Sequence, residues 1–208
     1  ESLKWLAVGV DEASPAARDA WEAAGAARWL RARSEALVYL EGSLRDRSAG
    51  ALKQWLEQEF FGVDSWVRKT VNAPASAAEL GSDSAELRGA SQMLRALWAF
   101  SQFSNDWSLV RAHWKEIRQL ALRGRLWNWA RFGPAPPSAL CLDAESWIAA
   151  ARMAWQAGDR EAYELFSFYA ASGLLQLHAR INGGEFLRKQ GRWHSPEFMD
   201  SATIPLDR

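Results

Sequence analysis

Cysteine is almost missing from this chain: Cys141 stands alone, so no internal disulfide framework can form and no cysteine-rich zinc site can be built. A single thiol after a proline-rich stretch is read as inert rather than nucleophilic. Net charge is missing too. Lys plus Arg and Asp plus Glu each number 25 in 208 residues, which leaves no basic field for nucleic acid or an anionic membrane, and no acidic tail. No apolar run approaches the roughly 20 residues that span a bilayer. The start, Glu1-Ser2-Leu3-Lys4-Trp5, lacks the form of a signal peptide. His113, His178 and His194 show neither His-x-x-x-His nor Glu-x-x-His spacing, so a helix-borne metal site finds no support. Phosphate-cradling glycine motifs and a Gly-x-Ser-x-Gly elbow are absent as well. These gaps point to no metal, no cofactor, no nucleic acid and no membrane.

What the chain does have is tryptophan, 13 of them. Such enrichment either fills wide gaps between helices or makes an aromatic surface on which flat ligands stack. Helical periodicity dominates the rest. Ser14-Pro15 reads as an N-cap with proline at the first helical position, opening one bent helix or two short ones up to Glu41-Gly42. Leu52, Trp55, Leu56 and Phe60 mark a second element that Gly62 ends. Ala90, Leu94, Leu97, Trp98 and Ser101 form one stripe. After Asn105-Asp106, Trp107, Val110, Trp114, Ile117 and Ala121 form another. About 53 positions later Asp143 is read as the cap of a helix carrying Trp147, Ala151, Ala154 and Trp155. Gly158-Asp159 then takes the place of Asn105-Asp106 before a helix expected to end ahead of Gly183-Gly184. This period predicts an all-α fold of consecutive antiparallel helical hairpins, with residues 84–120 and 143–181 as its clearest pairs. The 208 residues suit a single unit.

The segment Met93 to Trp107, continuing through His113-Trp114 to Ile117 and echoed from Trp147 to Asp159, resembles the hairpin unit of the six-hairpin glycosidase superfamily. The resemblance implies part or all of an α/α toroid, a carbohydrate ligand, glycosidic bond cleavage by paired carboxylates, and a secreted or periplasmic setting. About four hairpins are counted where six make a toroid, so the chain is expected to be a fragment or an open arc.

In such an array the short turns share one face and the long connections the other. The predicted connections, 62–83, 124–142 and 182–200, contain Trp66, Arg68, Trp127, Trp129, Arg131, Phe132, Trp193 and His194. Rings beside Arg suit a sugar, whose C–H faces stack while its hydroxyls seek polar partners. The alternative is that these rings plug gaps under the loops. Trp55, Trp98, Trp114, Trp147 and Trp155 lie in helical stripes and are read as core. Asp143, Glu145 and Glu185 are the candidate acids for a hydrolase. The plainer readings are a helix cap, a helix N-terminal charge and a surface carboxylate. Two functions stand side by side: a glycoside hydrolase, and a non-enzymatic helical-repeat module that binds a glycan or protein on its concave face.

Overall fold

The computed structural model describes residues 19–72, 85–129 and 137–189. Among them are eight α-helices and no strand. They are α1 (Ala20–Ala36), α2 (Gly42–Trp55), α3 (Trp66–Asn72), α4 (Ala85–Ser104), α5 (Ser108–Ala112), α6 (Trp114–Trp129), α7 (Pro137–Ala157) and α8 (Arg160–Lys189). A 3-10 turn, Leu37–Tyr39, follows α1, and a π turn, Leu56–Phe60, follows α2. Gly62 closes the π turn at a position where a Cβ would lie 1.9 Å from the Gln58 carbonyl oxygen, so only glycine fits.

Four long helices form a row. α1 packs on α4, α4 on α7, and α7 on α8, while α6 lies against α4, α7 and α3. The two closest pairs are rich in small residues. Ala23, Ala26, Ala27, Ala90 and Ala96 are buried on α1 and α4, and Ala144, Ala151, Ala154, Ala162 and Ala170 on α7 and α8. Small side chains let helix axes approach closely. Larger ones fill the remaining space: Trp55, Phe60, Leu97, Phe100, Ile117, Met153 and Phe166 are all buried.

The hairpin expectation holds for α7 and α8, which fold back on each other through one tight turn. Gly158 has φ +78, the Asp159 N–H donates to the Ala154 carbonyl at 3.0 Å, and the Gly158 N–H donates to Trp155 at 3.1 Å. That is a Schellman closure with glycine at its left-handed position. The other pairing differs from expectation, because the main partner of α4 is α1 rather than α6. The second stripe is also broken once, between α5 and α6 at His113, whose ring stacks on Phe61 at 3.9 Å with 8° between the planes. No extensive packing joins α8 to α1 among the described residues.

Several boundaries are corrected. The first segment is one continuous helix, α1, through Gly25 to Ala36, followed by a short 3-10 turn, and Ser14-Pro15 lies outside the described residues. The stretch 62–83 is not one long loop: Ser65 caps α3, its hydroxyl accepting the Arg68 N–H at 3.2 Å. The stretch 124–142 shrinks because α6 runs to Trp129 and α7 begins at Pro137, using proline at the first helical position. Asp143 is therefore inside α7 rather than at its N-terminus, and Glu145 is two turns past the helix start. Gly183-Gly184 does not stop α8, which continues to Lys189. No described helix is long and apolar enough to cross a membrane.

Candidate functional site

The two short turns carry the same chemistry. Asn105 (φ 58) and Gly158 (φ 78) each place an aspartate immediately after a left-handed residue. Asp106 accepts the Ser108 N–H at 2.8 Å and the Lys53 ammonium at 2.8 Å, and Lys53 also donates to the Ser108 hydroxyl at 2.7 Å. Asp159 accepts the Ala162 N–H at 3.0 Å through one oxygen and the Trp114 indole N–H at 2.8 Å through the other, with Arg118 3.6 Å away. In each case a helix from the preceding hairpin, α2 or α6, reaches over to the next turn.

Partial burial alone would raise the Asp106 pKa, but the hydrogen bonds from Lys53 and Ser108 outweigh it and hold the carboxyl at about 2. The Ala162 N–H and the Trp114 indole likewise hold Asp159 below its usual value. Both stay ionised at neutral pH, which suits caps and rules them out as proton donors to a leaving group. A carboxyl with a depressed folded pKa stabilises the fold above its unfolded value, and that contribution disappears as pH falls toward the folded value. About a third of the Asp106 and Lys53 side chains is exposed. Solvent screening then limits the contribution of Asp106 to about 1 kcal/mol. It should be present above about pH 4 and lost by about pH 2. Urea unfolding of wild type and Asp106→Asn across that window should show the wild-type midpoint falling more steeply. Parallel curves would mean the carboxylate is not held as described.

Between the two turns lies a groove of about 330 Å³ lined by Gln102 at the end of α4, Trp107 in the first turn, Arg152, Trp155 and Gln156 at the end of α7, and Tyr163 at the start of α8. Trp155 is 65% exposed and meets Tyr163 with ring centroids 5.3 Å apart at 59°. The Arg152 guanidinium sits 5.5 Å from the Trp98 ring centroid and has no carboxylate partner among the described residues. A cation over an indole is oriented by the ring quadrupole, which leaves its N–H groups for a ligand. The described lining contains two primary amides, one cation and three aromatic rings, and no carboxylate.

This groove is on the short-turn side, opposite to the side favoured by sequence reasoning. Trp155, read as core, is the correction that matters most. It continues the α7 stripe four residues after Ala151, but α7 ends at Ala157, and at that height the described neighbour is Tyr163 of α8. The other four helical tryptophans fare better: Trp55 and Trp147 are buried, and Trp98 and Trp114 are half-buried.

The residues singled out in the connections are not gathered into a site by the described structure. Trp66 is buried on α3 and Arg68 half-buried beside it. Trp127 and Trp129 belong to the last turn of α6 rather than to a loop, and Glu185 belongs to α8. Glu145 is exposed on α7 and pairs with Arg95 of α4. Arg131, Phe132, Trp193 and His194 lie outside the described residues. No group of three or more His, Cys, Asp or Glu suited to a metal ion occurs among the described residues. Compared with protein-family models, curated proteins and solved structures, the chain matches none.

Proposed function

We propose that this chain is a binding module of stacked helical hairpins that takes a carbohydrate in the groove between the α4–α5 and α7–α8 turns. The observation that carries this reading is the lining itself: Trp107, Trp155 and Tyr163 beside Gln102, Gln156 and Arg152. Indole and phenol faces stack on sugar C–H faces. Primary amides both donate and accept, which matches hydroxyl groups, and Arg152 adds donors. The described lining has no carboxyl group to protonate a leaving oxygen, which favours binding without cleavage. An α/α toroid, and glycoside cleavage by Asp143, Glu145 or Glu185, draw their support from the sequence resemblance alone.

Titration with a panel of oligosaccharides should change tryptophan emission saturably, and Trp155→Ala should weaken the binding by about tenfold or more. Because Trp155 is 65% exposed, the variant should keep its helical circular dichroism. If no sugar gives a saturable change, or if Trp155→Ala binds as wild type does, the groove is not a sugar site.

A further inference from the structure

The cation in the groove lacks a counter-charge, in a chain whose 25 basic and 25 acidic residues otherwise balance. Carboxylates around the two turns are engaged elsewhere. Asp106 holds Lys53 at 2.8 Å, Asp159 accepts the Trp114 indole with Arg118 3.6 Å away, and Glu161 faces Arg118 at 3.5 Å. Glu164 is paired with Arg160 at 2.9 Å, and Glu145 with Arg95. Arg152 is left with the Trp98 ring, 5.5 Å from its guanidinium carbon, and with no carboxylate among the described residues. An indole face attracts a cation but carries no net negative charge to neutralise it.

The position of that cation matters as much as its charge. Arg152, Trp155 and Gln156 stand at i, i+3 and i+4 on α7, so they share one face with Cβ atoms about 5–6 Å apart. Gln102 lines the same groove from α4, one turn after Trp98. A sugar ring stacked on the 65%-exposed Trp155 therefore has the Arg152 guanidinium within reach of a substituent on its edge, with the Gln102 and Gln156 amides for its hydroxyls.

We infer that the sugar bound here is an acidic one, carrying a carboxylate or a sulfate that pairs with Arg152; this rests on the carbohydrate reading of the groove. A guanidinium presents parallel N–H donors that match two oxygens of either group, and a charge-assisted pair is stronger than the bond a neutral hydroxyl makes to the same donor. The described lining holds no carboxylate to repel such an anion or to compete for Arg152.

Matched ligand pairs isolate the charge. Trimers of galacturonate, glucuronate and mannuronate are titrated beside their methyl esters, which keep ring and linkage but lose the charge, and sulfated galactan oligomers beside their desulfated forms. Followed by tryptophan emission, at least one acid should bind about tenfold more tightly than its neutral partner. That advantage should shrink between about 0.01 and 1 M salt. Arg152→Gln should bring the ratio of the two affinities to within about twofold, with helical circular dichroism unchanged because Arg152 is exposed. Arg152→Lys, which keeps the charge but not the fork, should retain part of the preference. A preference in the uronate arm or in the sulfate arm identifies which anion the groove takes. If neutral partners bind as tightly as the acids, or if the preference survives Arg152→Gln, the acidic-sugar inference is overturned while the carbohydrate reading stands. If neither acidic nor neutral sugars give a saturable change, both are overturned.

Discussion

Phe100→Ala should destabilise the protein by about 3–5 kcal/mol, the range for emptying a fully enclosed phenylalanine site. Phe100 is 0% exposed on α4, the helix that packs against α1, α6 and α7 together. A cavity relaxes when its walls can move inward. Here α4 is packed by three helices, and alanines on α1 and α4 are already buried, so there is little large side chain to move inward. A loss of this size is a large share of the roughly 5–15 kcal/mol that separates folded from unfolded domains. Urea unfolding should show a much lower midpoint with an unchanged slope. Phe168→Ala is the matched control, because its ring is 65% exposed and should change monomer stability by under about 1 kcal/mol. Equal losses at the two positions would mean that α4 is not the central helix of the row.

The contrast between those phenylalanines marks where sequence pattern stops being informative. Periodicity locates the stripes of α4 and α6 and the two turns, because apolar spacing and an αL-prone residue followed by aspartate are local signals. It does not tell which helix each stripe meets: α4 packs mainly on α1, where Ala23, Ala26 and Ala27 are buried, and no spacing rule ranks such small-residue faces. Boundaries failed where two local signals competed. Asp143 has the chemistry of a cap, yet Pro137 earlier in the chain supplies a preset φ, and the residues between, Ser138 to Leu142, extend the helix back to it. Gly183-Gly184 costs about 1 kcal/mol per glycine relative to alanine, which weakens a helix without forbidding it. The groove was illegible for a different reason. Its lining comes from the ends of three helices and a turn, and Trp155 belongs by spacing to a buried stripe, so only the place where α7 ends reveals it as surface.

Asp159→Ala should cost about 2–4 kcal/mol, more than an ordinary cap, because one side chain serves two donors. One oxygen satisfies the Ala162 N–H at the start of α8, which alone is worth about 1 kcal/mol. The other accepts from the indole N–H of the half-buried Trp114, and removing it leaves that donor without its partner while Arg118 loses a nearby countercharge. Asp159→Asn separates the terms. Asparagine caps as well as aspartate, so its oxygen keeps the Ala162 bond, but its NH₂ then faces the indole N–H, donor against donor. The Asn variant should therefore fall between wild type and Ala. Adding Trp114→Phe should recover part of the loss, giving a coupling energy of about 0.5–3 kcal/mol in a double-mutant cycle. Additive effects would show that the indole bond does not hold the α7–α8 turn to α6. The same turn sets the groove: Trp155 and Gln156 lie just before it, and the Asp159 carbonyl accepts the Tyr163 N–H at 3.0 Å. Loosening it moves both walls, so Asp159→Ala should weaken any ligand that Trp155→Ala weakens, whereas Asp106→Ala, at the other turn, should act mainly through Trp107. A ligand bound equally well by Asp159→Ala and wild type would place the recognition surface elsewhere.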